Sequence, residues 1–126
     1  MLNKGVRDEK KVKTDKLLGA LLSLVDVPKF WNIDDTNLID NQLTNFDLTV
    51  AILDQIEEKN LILLLDKYEL DWAQKEQFAD FLVAYSKENV CNFSAKAIAI
   101  YNHIQIDSKT FSFEIFNKLA VAKVNL

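Results

Sequence analysis

The sequence predicts an all-α domain, five to six helices in a compact bundle or orthogonal array, on three observations. Glycine occurs twice and proline once in 126 residues, where ordinary usage is roughly 7% and 5%. Apolar residues make up 49% of the chain, enough for a packed core. Through most of its length they recur at three- and four-residue spacing, the period of one helix face. A β-sandwich or barrel draws on Gly and Pro at frequent turns, so it is excluded. Phosphate cradles of the GxGxxG or GxxxxGK type are excluded too, because Gly5 and Gly19 alone cannot write them.

A first helix is expected over Lys16 to Val27, capped by Thr14 or Asp15. Leu17, Leu18, Leu21, Leu22, Leu24 and Val25 form its apolar face, and Pro28 stops it. Residues 1–15 then read as a basic, flexible leader and 16–126 as one helical domain. Phe30 and Trp31 fall in a link, and the polar stretch Asn32–Asn41 holds a short turn anchored by Leu38 and Ile39. Thr44 with Asp47 opens a second helix, with Phe46, Val50, Leu53 and Ile56 inward and Asn60 as a left-handed end. Leu61–Leu65 continues as a short helix through Leu70.

Asp71 followed three residues later by Gln74 is a capping box, and it starts a helix carrying Phe78, Phe81, Leu82 and Tyr85 inward. Lys75, Glu76, Asp80 and Lys87 are expected on its outer side. The next helix starts at Asn92 or Ser94 and shows Ala97, Ile98, Tyr101 and Ile104. Asp107-Ser108 offers a cap for the last, with Phe111, Ile115, Phe116, Leu119, Ala120 and Ala122 on a wide face. Residues 104–115 also alternate apolar and polar, so the alternative is an α+β fold with a C-terminal hairpin there. Phe116 breaks the alternation and favours helix.

Charge is unevenly spread. Residues 1–16 carry six positive and three negative groups, whereas residues 26–80 carry four lysines against thirteen carboxylates. Such an acidic centre repels duplex DNA, and a single arginine offers little base readout, so no nucleic acid is expected. The apolar run Leu17–Val25 falls well short of the ~20 residues that cross a bilayer, so no membrane span is expected. The lone Cys91 leaves no intrachain disulfide and no cysteine zinc site, and points to a reducing, cytoplasmic setting.

No metal, cofactor or catalytic constellation is written in the chain. Asp34, Asp35 and Asp40 resemble a calcium loop only in their acids, since the required Gly and bidentate Glu are missing. Three residues before His103 stands Ile100, not the Glu of a di-iron helix. Asp66 and Glu69 share a helix face as a candidate acid pair, and Asp71 is taken up as a cap. His103 in a last helical turn is accounted for by the helix dipole, and Cys91 by burial as a small apolar residue. Trp31 and Trp72 fit the helical stripes worst, and an exposed aromatic beside acids is what an interface uses as an anchor.

These features predict a non-enzymatic protein-interaction module, of the inhibitor, immunity or antitoxin kind, docking on a basic protein partner. Asp34, Asp35, Asp54, Glu57 and Glu58 are its candidate contacts, with Trp31 or Trp72 as anchor. Two alternatives stand beside it: a structural subunit ordered through its leader, and a helical carrier of an apolar ligand.

Overall fold

A computed structural model of the chain describes residues 2–26, 33–88 and 92–124. Among these residues there are seven α-helices and no strand. They are α1 (Leu2–Asp26), α2 (Ile33–Leu43), α3 (Val50–Gln55), α4 (Glu58–Lys67), α5 (Trp72–Glu88), α6 (Ser94–Asp107) and α7 (Phe113–Val124). The all-α prediction holds and the C-terminal hairpin is overturned, since Ile104 and Ile106 lie inside α6 while Phe113 and Ile115 open α7. The corner between them is closed by a side chain. Gln105 donates to the Ser112 carbonyl at 3.1 Å and accepts from the Ser112 N–H at 3.1 Å, as a strand neighbour otherwise would.

Helix α5 is the hub, packing on α1 and α6, while α6 also meets α4 and α7. Its start is the predicted capping box. The Gln74 N–H donates to Asp71 Oδ1 at 2.8 Å, and the Asp71 N–H donates back to Gln74 Oε1 at 3.0 Å. Its inward stripe, Phe78, Phe81, Leu82 and Tyr85, is buried as expected. Edge contacts run from Tyr68 through Phe46 and Phe78 to Phe81, whose ring is tilted against Tyr85, and Tyr85 stacks on Phe93 at 5.4 Å. This row of rings ties α4, α5 and the start of α6 into one core.

Several boundaries differ from the sequence reading, each for a local reason. Helix α1 starts at Leu2 rather than near Lys16. The leader is rich in good helix formers, and its second half docks: Gln74 donates to Asp15 Oδ1 at 2.8 Å, and Lys10 and Lys11 pair with Glu69 and Asp71. The segment expected to hold only a turn is the full helix α2, because Ile39 and Leu43, one turn apart, are both fully buried. Leu38, expected as an anchor, is 48% exposed.

The helix expected from Thr44 to Asn60 is split. A 3₁₀ turn over Thr44–Phe46 ends at Asp47 in the left-handed region. Thr49 then caps α3 by accepting from the Ile52 N–H at 3.2 Å, and Ile56 turns extended before α4. Asn60 consequently lies inside α4 rather than at a helix end. Ser112, not Asp107-Ser108, caps α7, its Oγ accepting from the Ile115 N–H at 3.3 Å. On α7 only the stripe Ile115, Leu119 and Ala122 is buried, so Phe111, Phe116 and Ala120, expected inside, are exposed. Among the described residues no helix is long and apolar enough to cross a membrane.

Candidate functional site

The acids of the central segment fall into two groups. Most are held within the fold. Asp40 accepts from the Val50 N–H at 2.8 Å, and Asp47 is bound by Tyr68 and Lys67. Asp66 pairs with Lys75, Glu69 with Lys10, and Asp71 with Lys11. Glu76 and Asp80 share Lys118 at 2.5 and 3.0 Å, and Asp80 also accepts from Tyr101 at 2.5 Å. The exceptions cluster at one corner. Asp54 near the end of α3 and Glu57-Glu58 at the start of α4 are exposed, and no described cation lies within ion-pair distance of them. Among the described residues Asp54 accepts only from the neighbouring Gln55 amide, at 3.0 Å. Glu57 and Glu58 suit the positive end of the α4 dipole, which accounts for their tolerance there without neutralising them.

The remaining sequence candidates are placed differently. Trp31 lies outside the described residues, as do the side chains of Asp34 and Asp35, which sit in the first turn of α2. Trp72 is 40% exposed, but it belongs to a different neighbourhood. The ten residues of α4 separate the acidic corner at its start from the turn that leads to Trp72, a rise of about 15 Å. The fold therefore groups Asp54, Glu57 and Glu58 without adding Trp72 to them.

Around Trp72 stands a cluster that the sequence reading did not find. Lys75, expected outward, is 4% exposed. Its ammonium donates to Asp66 Oδ1 at 2.5 Å and to His103 Nε2 at 3.0 Å, and lies 4.4 Å from the Trp72 ring centre. His103 Nδ1 is 2.5 Å from Asp107 Oδ2 one turn on, so the tautomer that fits carries its proton on Nδ1 and receives Lys75 at Nε2. Two acceptors and an aromatic face thus surround the ammonium on three sides. The signal was present in the sequence: Lys75 stands three residues before Phe78, on the same stripe as Leu82 and Tyr85. The candidate pair Asp66 and Glu69 is not a pair here. Glu69 lies past the end of α4 at φ 60° and turns to Lys10, while Asp66 faces Lys75.

A second polar seam joins α5, α6 and α7. Burial, then the hydrogen bond to Asp80 and the charge of Asp80 and Glu76, push the Tyr101 hydroxyl far above its ordinary range. For Lys118 burial works downward, but hydrogen bonds to Glu76 and Asp80 outweigh it and raise the ammonium. Beside this seam runs a groove of about 290 Å³ lined by Val83, Ala84, Lys87 and Val121, and another of about 520 Å³ follows α1 past Val12, Lys16 and Leu17. Both are surface grooves, and the buried phenylalanines and leucines sit in the core instead. Among the described residues no three or more His, Cys, Asp or Glu converge to hold a metal ion.

No family model, curated protein or solved structure matches this chain. Any functional reading therefore rests on its own geometry.

Proposed function

We propose that this protein is a small helical binding module that works without chemistry of its own, docking on the basic surface of a protein partner in the manner of an inhibitor or antitoxin. One observation carries the reading: Asp54, Glu57 and Glu58 have no described cation beside them at one corner, while each other described carboxylate of the central acidic segment has a lysine or a backbone N–H of this chain as partner. An unpaired acidic patch on a rigid corner steers a cationic surface toward it and loses that pull as salt screens it. The corner is rigid because Leu53 and Leu61, on either side of it, are both fully buried.

The test is capture from cells of the source organism by the wild-type chain and by the variant Asp54→Lys, Glu57→Lys, Glu58→Lys, at low and at high salt. The proposal expects a basic protein retained by wild type at low salt, released at high salt and not retained by the variant. A partner held equally by both chains contradicts it.

A further inference from the structure

Two bases lie side by side where α4, α5 and α6 meet. Lys75 is 4% exposed and the His103 side chain 12%, while Asp66 and Asp107, the acids that bind them, are about half-exposed. An ammonium has donors only, so the neutral ring of His103 receives Lys75 on a bare Nε2, at 3.0 Å. Its one N–H proton is then on Nδ1, which meets Asp107 Oδ2 at 2.5 Å. Trp72 lies against both bases: its ring centre is 4.4 Å from Lys75 Nζ and 5.3 Å from that of His103.

This arrangement leaves one place for a further proton. Nδ1 is already protonated, so an imidazolium of His103 carries the new proton on Nε2, aimed at the Lys75 ammonium. Two N–H groups cannot share one hydrogen bond, and two cations at 3.0 Å repel strongly in a site largely closed to water. The proton and the Lys75–His103 bond therefore exclude each other. We propose that this joint is an acid-triggered switch, in which protonation of His103 releases Lys75 from α6 and frees Trp72 toward solvent.

The surrounding charges allow the change. Asp107, one turn on along α6, favours the imidazolium, whereas Lys75 of α5 opposes it. Lys75 has a second acceptor in Asp66 Oδ1 of α4, at 2.5 Å, so leaving His103 does not leave it unpaired. With a neutral imidazole the two carboxylates outnumber the single ammonium, and a proton on His103 balances them. Glu76, the next residue of α5, is taken up by Lys118 of α7, and no charged group of α7 lies within ion-pair distance of the ring among the described residues. Lys75–His103 and Tyr101–Asp80 are two of the side-chain bonds that tie α5 to α6. Release of the first loosens the contact at the head of α5, while Tyr101 holds the rest. The acidic corner lies at the other end of α4, so the switch stands independently of the function proposed above.

The test is carried out on the full chain with Trp31→Phe, which leaves Trp72 as its one indole. The His103 Cε1–H resonance and the quenching of Trp72 emission by acrylamide are followed from about pH 8 to about pH 5, the interval in which histidine ordinarily changes charge and carboxylates do not. The quenching constant is expected to rise about twofold, the room left to a ring that starts 40% exposed, with the same midpoint as the His103 resonance. In His103→Gln, whose amide oxygen can accept from Lys75 without titrating, quenching is expected to stay level. Asp107→Asn is expected to move both signals to lower pH together, because the imidazolium loses its counter-charge. A level Trp72 signal while His103 takes up its proton, a rise that persists in His103→Gln, midpoints that separate in Asp107→Asn, or a His103 that takes no proton down to pH 5 overturns the proposal.

Discussion

Glu69 sits at φ 60°, in the region that glycine adopts freely and a side chain does not. It closes α4 in a Schellman motif, with the Leu70 N–H on the Leu65 carbonyl at 3.1 Å and the Glu69 N–H on that of Asp66 at 2.9 Å. The flanking Leu65 and Leu70 are buried, which holds the strained turn in place. Asp47 repeats the device at φ 58°, where the Leu48 N–H reaches the Leu43 carbonyl at 3.1 Å. A chain with two glycines makes these stops with acids, at about 1 kcal/mol each. Because the Lys10 pair is exposed and adds little, Glu69→Gly is expected to stabilise the fold by about 1 kcal/mol in urea unfolding. At Lys75 the expectation is an asymmetry. Asp66→Asn leaves a buried ammonium without its counter-charge and is expected to cost about 3 kcal/mol. Lys75→Met leaves only a half-exposed carboxylate and is expected to cost less than half as much, read by the same melts.

At the scale of elements, α5 holds the others through two polar seams and one row of rings. The Tyr101 seam has a pH consequence. The folded state keeps a proton on Tyr101 that the unfolded chain releases near its ordinary value of 10.0. The stabilisation is therefore complete below about pH 10 and is lost as pH rises beyond it; Lys118, raised as well, acts in the same direction. Thermal melts are expected to show stability falling on the alkaline side, and Tyr101→Phe is expected to flatten that fall while lowering stability at neutral pH by about 1.5–3 kcal/mol. What the sequence made legible among the elements was what local chemistry controls. The Asp71–Gln74 box and the Phe78–Tyr85 stripe follow from spacing alone, and the structure has them as read. The break at Asp47 and the start of α2 depend on which leucines find a core, as Leu43 and Leu48 do, and spacing does not carry that. Lys75 was misplaced for a related reason: its residue type says surface, and only Asp66 and His103 arriving from α4 and α6 make burial tolerable.

Across the whole molecule, charge and apolar surface are sorted to different places. The acidic corner between α3 and α4 was legible as composition, but its isolation was not, because pairing of the other carboxylates requires lysines from α1, α5 and α7 to be brought to them. Phe111, Phe116 and Ala120, expected on the inward face with Ile115, Leu119 and Ala122, are exposed, since periodicity marks an apolar side without showing how much of it is covered. The central claim is that the corner steers a basic partner. The direct measurement is the association rate constant of the captured partner for wild type and for the Asp54→Lys, Glu57→Lys, Glu58→Lys variant, as ionic strength is raised. The account predicts a wild-type rate that falls steeply with salt, and a variant rate at least about tenfold slower with a much shallower dependence. Equal rates with equal salt dependence contradict it.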